Sequence, residues 1–216
     1  MPASSNCFCE VERTMKTTLL SLPALAEPPL VGPAQDNGNA ADTVKNLQAA
    51  FRGESNARQR YLAFAQKADV EEYSGVASLF RAAARAEEIH AANHAAVIRK
   101  FGGVPDVQLV EPAVRSTREN IEVAIKGETY ERDQMYPDFL RQAGGGNAEA
   151  VRTFTLALAA ETEHAKLFRN ALDNLETFKK ARVFFVCPVC GFTASEPDFD
   201  SCPSCATPRE RFQQVR

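Results

Sequence analysis

The sequence Phe51-Arg52-Gly53-Glu54 is followed by Glu87-Glu88-Ile89-His90, and the same pattern returns as Ile125-Lys126-Gly127-Glu128 followed by Glu161-Thr162-Glu163-His164. Each copy reads Gly-Glu and then Glu-x-x-His, and the interval from Glu54 to Glu87 is the same as that from Glu128 to Glu161. Glutamate and histidine at i and i+3 lie on one face of a helix. Each copy therefore offers two carboxylates and one imidazole from two helices, which predicts a metal site between the copies.

The shared residues are those that helical bundles use to hold two carboxylate-bridged metal ions. Oxygen and imidazole ligands favour iron or manganese and also allow zinc. The bundle geometry predicts that Glu87 and Glu161 lie between the two ions. Glu54 and Glu128 are predicted to be the outer ligands. His90 and His164 are each predicted to bind the ion on their own side. Ion pairs at the core edge are the commoner explanation for one Glu-x-x-His, but two copies in register favour a metal site.

Every candidate ligand lies on a helical stripe that is otherwise apolar. In the second helix, Val76 and Leu79 share the stripe of Glu87 and His90. Burial of an unpaired carboxylate costs several kcal/mol, so several together would cancel a domain stability of about 5–15 kcal/mol. Arginines lie only at the margins of these stripes, so bound cations are predicted.

Breaks in the periodic pattern divide residues 42–178 into four predicted helices. The first two separate near residues 69–74, and Gly102-Gly103 ends the second. Ser116-Thr117-Arg118-Glu119 has the form of a capping box and opens the third helix. Gly144-Gly145-Gly146 ends that helix, and Asn147 is expected to cap the fourth.

The connection between the second and third helices is long. Residues 101–115 include two prolines and can extend about 50 Å, whereas a helix of about 27 residues is about 40 Å long. The connection can therefore run the length of the bundle. The predicted fold class is mainly α: a ferritin-like four-helix bundle with one long crossover, followed by a small four-cysteine metal module.

The copies differ in one useful place. Glu131, one turn past Glu128, matches Ala57 in the first copy, and a seventh ligand in one half makes the two metal positions inequivalent. Tyr61 and Tyr136 share these stripes and are expected to donate hydrogen bonds to ligand carboxylates or bound oxygen, the alternative being simple packing. His94, one turn beyond His90, is interpreted as a hydrogen-bonded core histidine and not as a ligand.

The last cysteines form a second predicted metal site. The pairs Cys187-x-x-Cys190 and Cys202-x-x-Cys205 are separated by eleven residues, a spacing that closes one tetrahedral site for zinc or iron. The spacing does not decide the metal, and zinc is the commoner occupant of such sites.

Residues 1–41 form a lead-in that contains five of the twelve prolines in the 216-residue chain and has no sustained period, so we predict poor order there. A weak resemblance to a signal peptide begins at Met15, which is also a possible alternative start, but Pro23 interrupts its apolar part. Cys7 and Cys9 are interpreted as two thiols, the alternative being a metal-binding pair. A formal charge of −3 predicts no binding to nucleic acid or membrane, and the expected location is cytoplasmic.

These motifs, in this order, closely resemble the rubrerythrin family. The chain departs from the family in its long lead-in and in having Phe184-Phe185 and no tryptophan before Cys187. The matching stretches, within about residues 42–214, are Asn46-Leu47, Gly53-Glu54-Ser55-x-Ala57-Arg58-x-Arg60-Tyr61, Glu87-x-x-His90, Gly127-Glu128-x-Tyr130-Glu131, Met135-Tyr136-Pro137-x-Phe139, Glu161-x-x-His164 and the two cysteine pairs.

The resemblance implies a ferritin-like di-iron domain at residues 42–178 and a rubredoxin-like iron domain at residues 179–216, where zinc can replace iron on purification. It implies reduction of hydrogen peroxide to water, and movement of one iron between Glu131 and His90 with oxidation state. The residues expected to hold or surround the di-iron centre are Glu54, Glu87, His90, Glu128, Glu131, Glu161, His164, Tyr61 and Tyr136, and those expected to bind the second iron are Cys187, Cys190, Cys202 and Cys205.

The leading hypothesis is a non-haem di-iron peroxidase that acts in oxidative stress defence. Electrons would arrive through the four-cysteine iron from an external, NADH-linked reductase or a rubredoxin. Because the cysteine module of one chain is expected to lie far from its own bundle centre, a head-to-tail homodimer or higher homo-oligomer is predicted. The alternatives are an oxygen-consuming ferroxidase or iron-handling protein, and a non-enzymatic bundle whose zinc ribbon binds a partner.

Overall fold

The computed structural model describes residues 37–216. The expectations for Cys7, Cys9 and Met15, and for most of the lead-in, lie outside these residues. Helix α1 (Asn37–Val70) and helix α2 (Ser74–Lys100) form a hairpin with a three-residue turn. Helix α1 begins five residues before the predicted start at Asp42. The predicted break between the first two helices is therefore present, whereas the predicted start of the first helix was too late.

The third predicted helix is interrupted where a continuous helix was expected. Helix α3 (Thr117–Tyr130) begins with the predicted capping box, in which the Ser116 hydroxyl accepts from the Glu119 amide. A π-helical segment (Glu131–Met135) follows and leads into helix α4 (Tyr136–Ala143). Because a π turn closes its hydrogen bond one residue later than an α turn, such a segment advances the sequence by one residue relative to a continuous helix.

The fourth helix of the bundle is α5 (Ala148–Asp173), which follows a short turn at Gly144–Gly146. Asn147 occupies the N-cap position, but its side chain makes no capping hydrogen bond. The side-chain amide of Asn147 instead donates a hydrogen bond to the Thr43 hydroxyl at 3.2 Å. The predicted cap was therefore wrong, since this amide links the start of α5 to α1.

The long connection runs along α1, as predicted for a single crossover. Arg52 forms a salt bridge of 2.8 Å with Asp106, and Asn56 accepts a hydrogen bond from the Val110 amide at 2.8 Å. Near the far end, the Thr117 amide donates to Glu71 at 2.7 Å. These contacts confirm the ferritin-like bundle with one long crossover.

Two apolar clusters enclose a polar centre within the bundle. One cluster surrounds Tyr61, Phe80 and Phe168, and the other surrounds Tyr136 and Phe154. Between them lie carboxylates and imidazoles that are fully or almost fully buried. No helix among residues 37–216 is long and apolar enough to cross a membrane.

The C-terminal module contains an antiparallel sheet in the order β2-β1-β3. Its strands are β1 (Phe184–Val186), β2 (Thr193–Ala194) and β3 (Gln213–Val215). The chain reaches the module over the start of α2, where a Cβ atom on Gly75 would overlap backbone atoms of Phe178 and Lys180. A glycine at residue 75 therefore allows this close passage.

Candidate metal centres

The repeated motifs meet at the centre of the bundle. Each of the seven candidate ligands is at most 8% exposed, and they come from all four helices and the π-helical segment. They are Glu54 on α1, Glu87 and His90 on α2, Glu128 on α3, Glu131 in the π-helical segment, and Glu161 and His164 on α5. The fold therefore brings together residues that are far apart in the sequence, from Glu54 to His164.

Six of these residues form two groups that share two carboxylates. In each group, one candidate ligand atom per residue lies within 4.8 Å of the others. One group contains Glu54 and His90 with the shared pair, and the other contains Glu128 and His164 with that pair, which is Glu87 and Glu161. This is the arrangement expected for two ions bridged by Glu87 and Glu161, and the assignment of ligands remains a prediction.

The orientation of His90 leaves its Nδ1 atom free to bind a metal ion. Its Nε2 atom lies 3.0 Å from the carbonyl oxygen of Cys190, and a carbonyl can only accept a hydrogen bond, so Nε2 carries a proton. Its Nδ1 atom lies 2.9 Å from both Glu87 Oε2 and Glu161 Oε1. Without a cation, Nδ1 hydrogen-bonds the Glu87 carboxylate. With a cation bound, the neutral ring would keep its proton on Nε2 and offer the Nδ1 lone pair to the ion.

His164 is oriented in the same way through Thr193. The Thr193 hydroxyl donates to the carbonyl oxygen of Gly191 at 3.0 Å, so it can accept from His164 Nε2, which is also 3.0 Å away. The His164 Nδ1 atom then faces Glu161 Oε2 at 2.8 Å and Glu128 Oε2 at 3.4 Å. Sequence reasoning missed Thr193, because nothing in its local pattern indicates a contact with a helix of the bundle.

The carboxylates of the site have oxygen atoms that lack hydrogen-bond donors. One buried oxygen accepts no hydrogen bond in each of Glu54, Glu87, Glu128 and Glu161. Glu161 Oε1 lies near His90 Nδ1 but outside hydrogen-bond geometry. Because buried polar atoms are rarely left without partners, these oxygens and the two Nδ1 atoms fit a pair of cations.

The electrostatics of the metal-free site point the same way. Burial, followed by the charges of Glu161 and Glu87, raises the pKa of Glu128 to about 8. Burial and the Glu87 charge also raise the pKa of Glu54 well above its ordinary value. Against the cost of burial, His90 and His164 hold the pKa of Glu161 below its ordinary range. The site therefore contains more carboxylates than its two imidazolium groups can neutralise, and bound cations would remove this excess.

Glu131 occupies the π-helical segment and is 8% exposed. Burial raises the pKa of its carboxyl well above the ordinary value, and the next largest cause is the charge of Glu54. The charge of Glu128 also contributes, and Glu131 belongs to neither of the two four-residue groups. Its role as a seventh ligand remains a prediction.

The two tyrosines donate hydrogen bonds to carboxylates across the bundle. The Tyr61 hydroxyl donates to Glu128, and the Tyr136 hydroxyl donates to Glu54. Each tyrosine therefore holds the outer carboxylate of the other copy of the motif. The interval from Tyr61 to Tyr136 is one residue longer than the interval that relates the ligands of the two copies, and the π-helical segment accounts for the additional residue.

His94 lies behind Tyr136. Its Nε2 atom is 3.0 Å from the Tyr136 hydroxyl, and its Nδ1 atom is 3.1 Å from the Thr153 hydroxyl. Burial, and then the charge of His90, lowers the pKa of His94 to about 3, so its ring is neutral. Both ring nitrogens have partners, which agrees with a hydrogen-bonded core histidine. Sequence reasoning missed Thr153.

The four cysteines of the C-terminal module also converge. Their Sγ atoms lie within 4.8 Å of one another, with separations of 3.5 Å between Cys187 and Cys205 and 3.6 Å between Cys190 and Cys202. Metal–sulfur bonds of about 2.3 Å in a tetrahedron place sulfur atoms about 3.8 Å apart. The cluster therefore has the dimensions of a four-cysteine site for iron or zinc.

The cysteine module packs against the bundle of its own chain. Asn93 donates to the carbonyl oxygen of Val189 at 2.9 Å, and His90 contacts Cys190. A Cβ atom on Gly191, whose φ is +77°, would overlap the His90 ring. The expectation that the module lies far from its own bundle centre was therefore wrong, because glycine allows the first cysteine knuckle to approach the histidine closely. The predicted homodimer is untested.

The rubrerythrin family model matches residues 45–172. Rubrerythrin-2 of Clostridium acetobutylicum is 38% identical over 179 residues, which cover 80% of this chain and 96% of that protein. Nigerythrin of Nitratidesulfovibrio vulgaris is 37% identical over 172 residues, which cover 79% and 85% of the two chains.

Solved structures show the same relationship. Fully reduced, all-ferrous nigerythrin has a TM-score of 0.75 at 35% identity and covers 80% of this chain and 86% of its own. A bacterioferritin from Desulfovibrio desulfuricans, at 22% identity and a TM-score of 0.60, covers 66% of this chain and 85% of its own and shares the bundle fold. The chain therefore belongs to the rubrerythrin family of di-iron oxidoreductases, and it carries an additional four-cysteine metal site.

Proposed function

We propose that this protein reduces hydrogen peroxide to water at the bundle site, with electrons delivered through the four-cysteine site. The observation that carries the proposal is the contact between His90 and the carbonyl oxygen of Cys190. One residue thus belongs to the first predicted metal site and hydrogen-bonds the backbone of a ligand of the second. A structural zinc ribbon would have no need of this contact.

The balanced reaction consumes one peroxide, two electrons and two protons and releases two water molecules. Iron bound at the bundle site supplies one electron from each of two ions and positive charge for cleavage of the O–O bond. The residues proposed to hold it are Glu54, Glu87, His90, Glu128, Glu131, Glu161 and His164, with Cys187, Cys190, Cys202 and Cys205 at the second site.

The protein's own contribution begins with positioning. Tyr61 and Tyr136 hold the carboxylates of Glu128 and Glu54 in place. The aromatic clusters on either side keep bulk water away from the site. A dry site with fixed charges avoids the reorganisation that water would require during the reaction.

Glu131 has the position for a conditional ligand. It is the one acidic side chain of the site in the π-helical segment, and it is buried. The family resemblance implies that Glu131 and His90 would be alternative ligands of one iron ion. His90 would then be both an alternative ligand and the residue that hydrogen-bonds a cysteine carbonyl of the module.

Electrons enter through the cysteine module from an external reductase linked to NADH, or from a rubredoxin. Of the four cysteines, Cys205 is the one that is partly exposed, so the donor would approach this side. A homodimer or higher homo-oligomer would cover apolar side chains on the crossover, where Val104 is 82% exposed and Val110 is 66% exposed.

A stopped-flow experiment tests the proposal. Anaerobically reduced protein is mixed with hydrogen peroxide, or with oxygen, and the oxidation of both iron sites is followed by absorbance. We expect peroxide to oxidise the bundle site much faster than oxygen does. A Cys205→Ser variant should keep the first oxidation but lose rapid re-reduction by the external donor.

Two outcomes would overturn the proposal. Slow oxidation by peroxide with rapid oxidation by oxygen would identify an oxygen reductase or ferroxidase. A colourless protein with zinc at the four cysteines after anaerobic purification, and full turnover in the Cys205→Ser variant, would remove the electron entry route.

A further inference from the structure

A directed chain of hydrogen bonds reaches the bundle site from the side of Glu54. It runs from Thr153 on α5 through His94 on α2 to Tyr136 on α4, and it ends on Glu54 of α1. The chain of hydrogen bonds therefore joins four helices through side chains. Thr153, His94, Tyr136 and Glu54 are all at most 6% exposed.

The chemistry of each group sets the direction of the chain. With a cation bound, Glu54 is ionised and can only accept, so the single Tyr136 proton goes to that carboxylate. The Tyr136 oxygen then accepts from His94 Nε2, which must carry the ring proton. Nδ1 of the neutral ring is left as an acceptor, and the Thr153 hydroxyl donates to it. Thr153 thereby selects the tautomer of His94.

The other copy of the motif has apolar side chains at the equivalent positions. The residues that correspond in register to His94 and Thr153 are Phe168 and Leu79, and both are buried. The Tyr61 ring packs against Phe168 with centroids 5.5 Å apart. The polar neighbour of Tyr61 is instead Arg60, whose guanidinium carbon lies 5.5 Å from the ring centre.

We infer that His94, held by Thr153, is a positioning residue that fixes the Tyr136 hydroxyl on Glu54 and makes the two metal positions of the bundle unequal. The inference rests on the proposed binding of two iron ions. A hydrogen bond donated to Tyr136 polarises its hydroxyl and strengthens the bond that the hydroxyl donates to Glu54. The Glu54 carboxylate then carries less negative charge towards the ion on the His90 side.

This placement has a consequence for electron entry. Less negative charge from a ligand raises the reduction potential of the ion that it binds. The His90 side is also the side that contacts Cys190. The Thr153–His94 chain of hydrogen bonds therefore raises the reduction potential of the metal position that contacts Cys190.

The test is a redox titration of the iron-loaded full chain, followed by electron paramagnetic resonance of the mixed-valence state. We expect His94→Phe, which copies the Phe168 arrangement, to lower the first reduction potential by about 60 mV, a tenfold change in the one-electron equilibrium. Thr153→Val, which keeps the side-chain volume, should shift it in the same direction by a smaller amount. Iron content should remain two ions per bundle.

Matched variants separate hydrogen bonding from packing. In His94→Gln, the side-chain amide can donate to Tyr136 and accept from Thr153, so it should restore most of the potential. Thr155→Val makes the same chemical change on α5 at an exposed hydroxyl that donates to the Val151 carbonyl, and it should shift nothing. Equal shifts in His94→Phe and His94→Gln, or no shift in His94→Phe, would overturn the inference.

A second measurement reads the tautomer directly. In zinc-loaded full-length protein labelled with ¹⁵N-histidine, His94 should show a protonated Nε2 and an unprotonated Nδ1. The Nδ1 resonance should move in Thr153→Val and stay in Thr155→Val. A protonated Nδ1 in the wild-type protein would contradict the direction of the chain.

The two proposals can fail separately. If wild-type protein does not reduce peroxide while the His94 variants shift the potential as expected, the proposed function fails and the positioning role stands. If wild-type protein reduces peroxide, but the reduction potential does not change in the His94 and Thr153 variants and the His94 tautomer does not change in Thr153→Val, the positioning role fails alone.

Discussion

The two copies of the ligand motif are alike where they would hold metal and different behind the ligands. Glu54 and Glu128 are both buried and both accept from a tyrosine. Behind Tyr136 lies the neutral imidazole of His94, whereas behind Tyr61 lies the phenyl ring of Phe168. A repeat can therefore keep the geometry of the ligands while the surrounding side chains give each half its own electrostatics.

The π-helical segment is the second difference between the halves. It lies in the second copy alone among residues 37–216 and contains Glu131, whose counterpart in the first copy is Ala57. Helix interruptions of this kind are frequent at functional sites. Here the interruption advances Tyr136 by one residue. The two tyrosine–carboxylate hydrogen bonds across the bundle therefore remain equivalent, although only one of the two helices has a π-helical segment.

The largest expected effect tests the carboxylates that both halves share. Glu87→Ala should abolish binding of both iron ions and any measurable oxidation by peroxide, because it removes a ligand from each position. Glu54→Ala or Glu128→Ala should leave one ion bound. Iron analysis of purified protein measures the difference, and retention of two ions in Glu87→Ala would contradict the shared role.

A smaller effect on peroxide-driven oxidation should follow from removing Glu131, the carboxylate that only the second half of the bundle has. Glu131→Ala copies Ala57 and should keep two iron ions while slowing peroxide-driven oxidation about 10- to 100-fold, the range typical for loss of a group that supports a metal site. Stopped-flow absorbance measures the rate. Glu88→Ala, on the exposed side of α2, is the control and should oxidise at the wild-type rate. A wild-type rate in Glu131→Ala would exclude a role for the Glu131 carboxylate.

The raised pKa values of the two outer carboxylates, Glu54 and Glu128, can be tested in the metal-free protein. The pKa of Glu128 is about 8 in the folded protein and 4.5 when unperturbed, so the folded state binds the additional proton between these pH values. Stability from this group is present below pH 4.5 and is lost as pH rises through 8, by up to about 1.4 kcal/mol per pH unit.

Urea unfolding of the metal-free protein measures this effect. We expect the free energy of unfolding to fall as pH rises from 4.5 to 8, and Glu128→Gln to flatten this slope. Glu54→Gln should flatten it similarly, because burial also raises the pKa of Glu54. Unchanged slopes in both variants would contradict the electrostatic account.

The smallest expected effect separates the two tyrosines. Tyr61→Phe and Tyr136→Phe each remove one hydrogen bond to a carboxylate, which costs about 1.5–3 kcal/mol when the partner is charged. Tyr136→Phe should cost more, because it also leaves His94 Nε2 without its acceptor. Thermal unfolding of the iron-loaded variants measures the difference, and a greater loss in Tyr61→Phe would reverse the comparison.

Much of the bundle could be predicted because its signals are local and periodic. The capping box at Ser116, the glycines that end helices and the Glu-x-x-His repeats each depend on residues within a few turns. The cysteine spacing likewise defines a site within one short module. The predicted cap at Asn147 failed because a partner on another helix, Thr43, competes for the same side chain.

Helical spacing in the sequence is enough to predict the metal-binding residues, since it places Glu87 with His90 and Glu161 with His164 on common faces. The orientation of the two imidazoles depends instead on tertiary packing, because the Cys190 carbonyl and the Thr193 hydroxyl contact them from another part of the chain. The sequence already shows that the halves differ at Glu131 and Ala57, but the hydrogen bond from Thr153 to His94 depends on the packing of α5 against α2 and not on any local pattern.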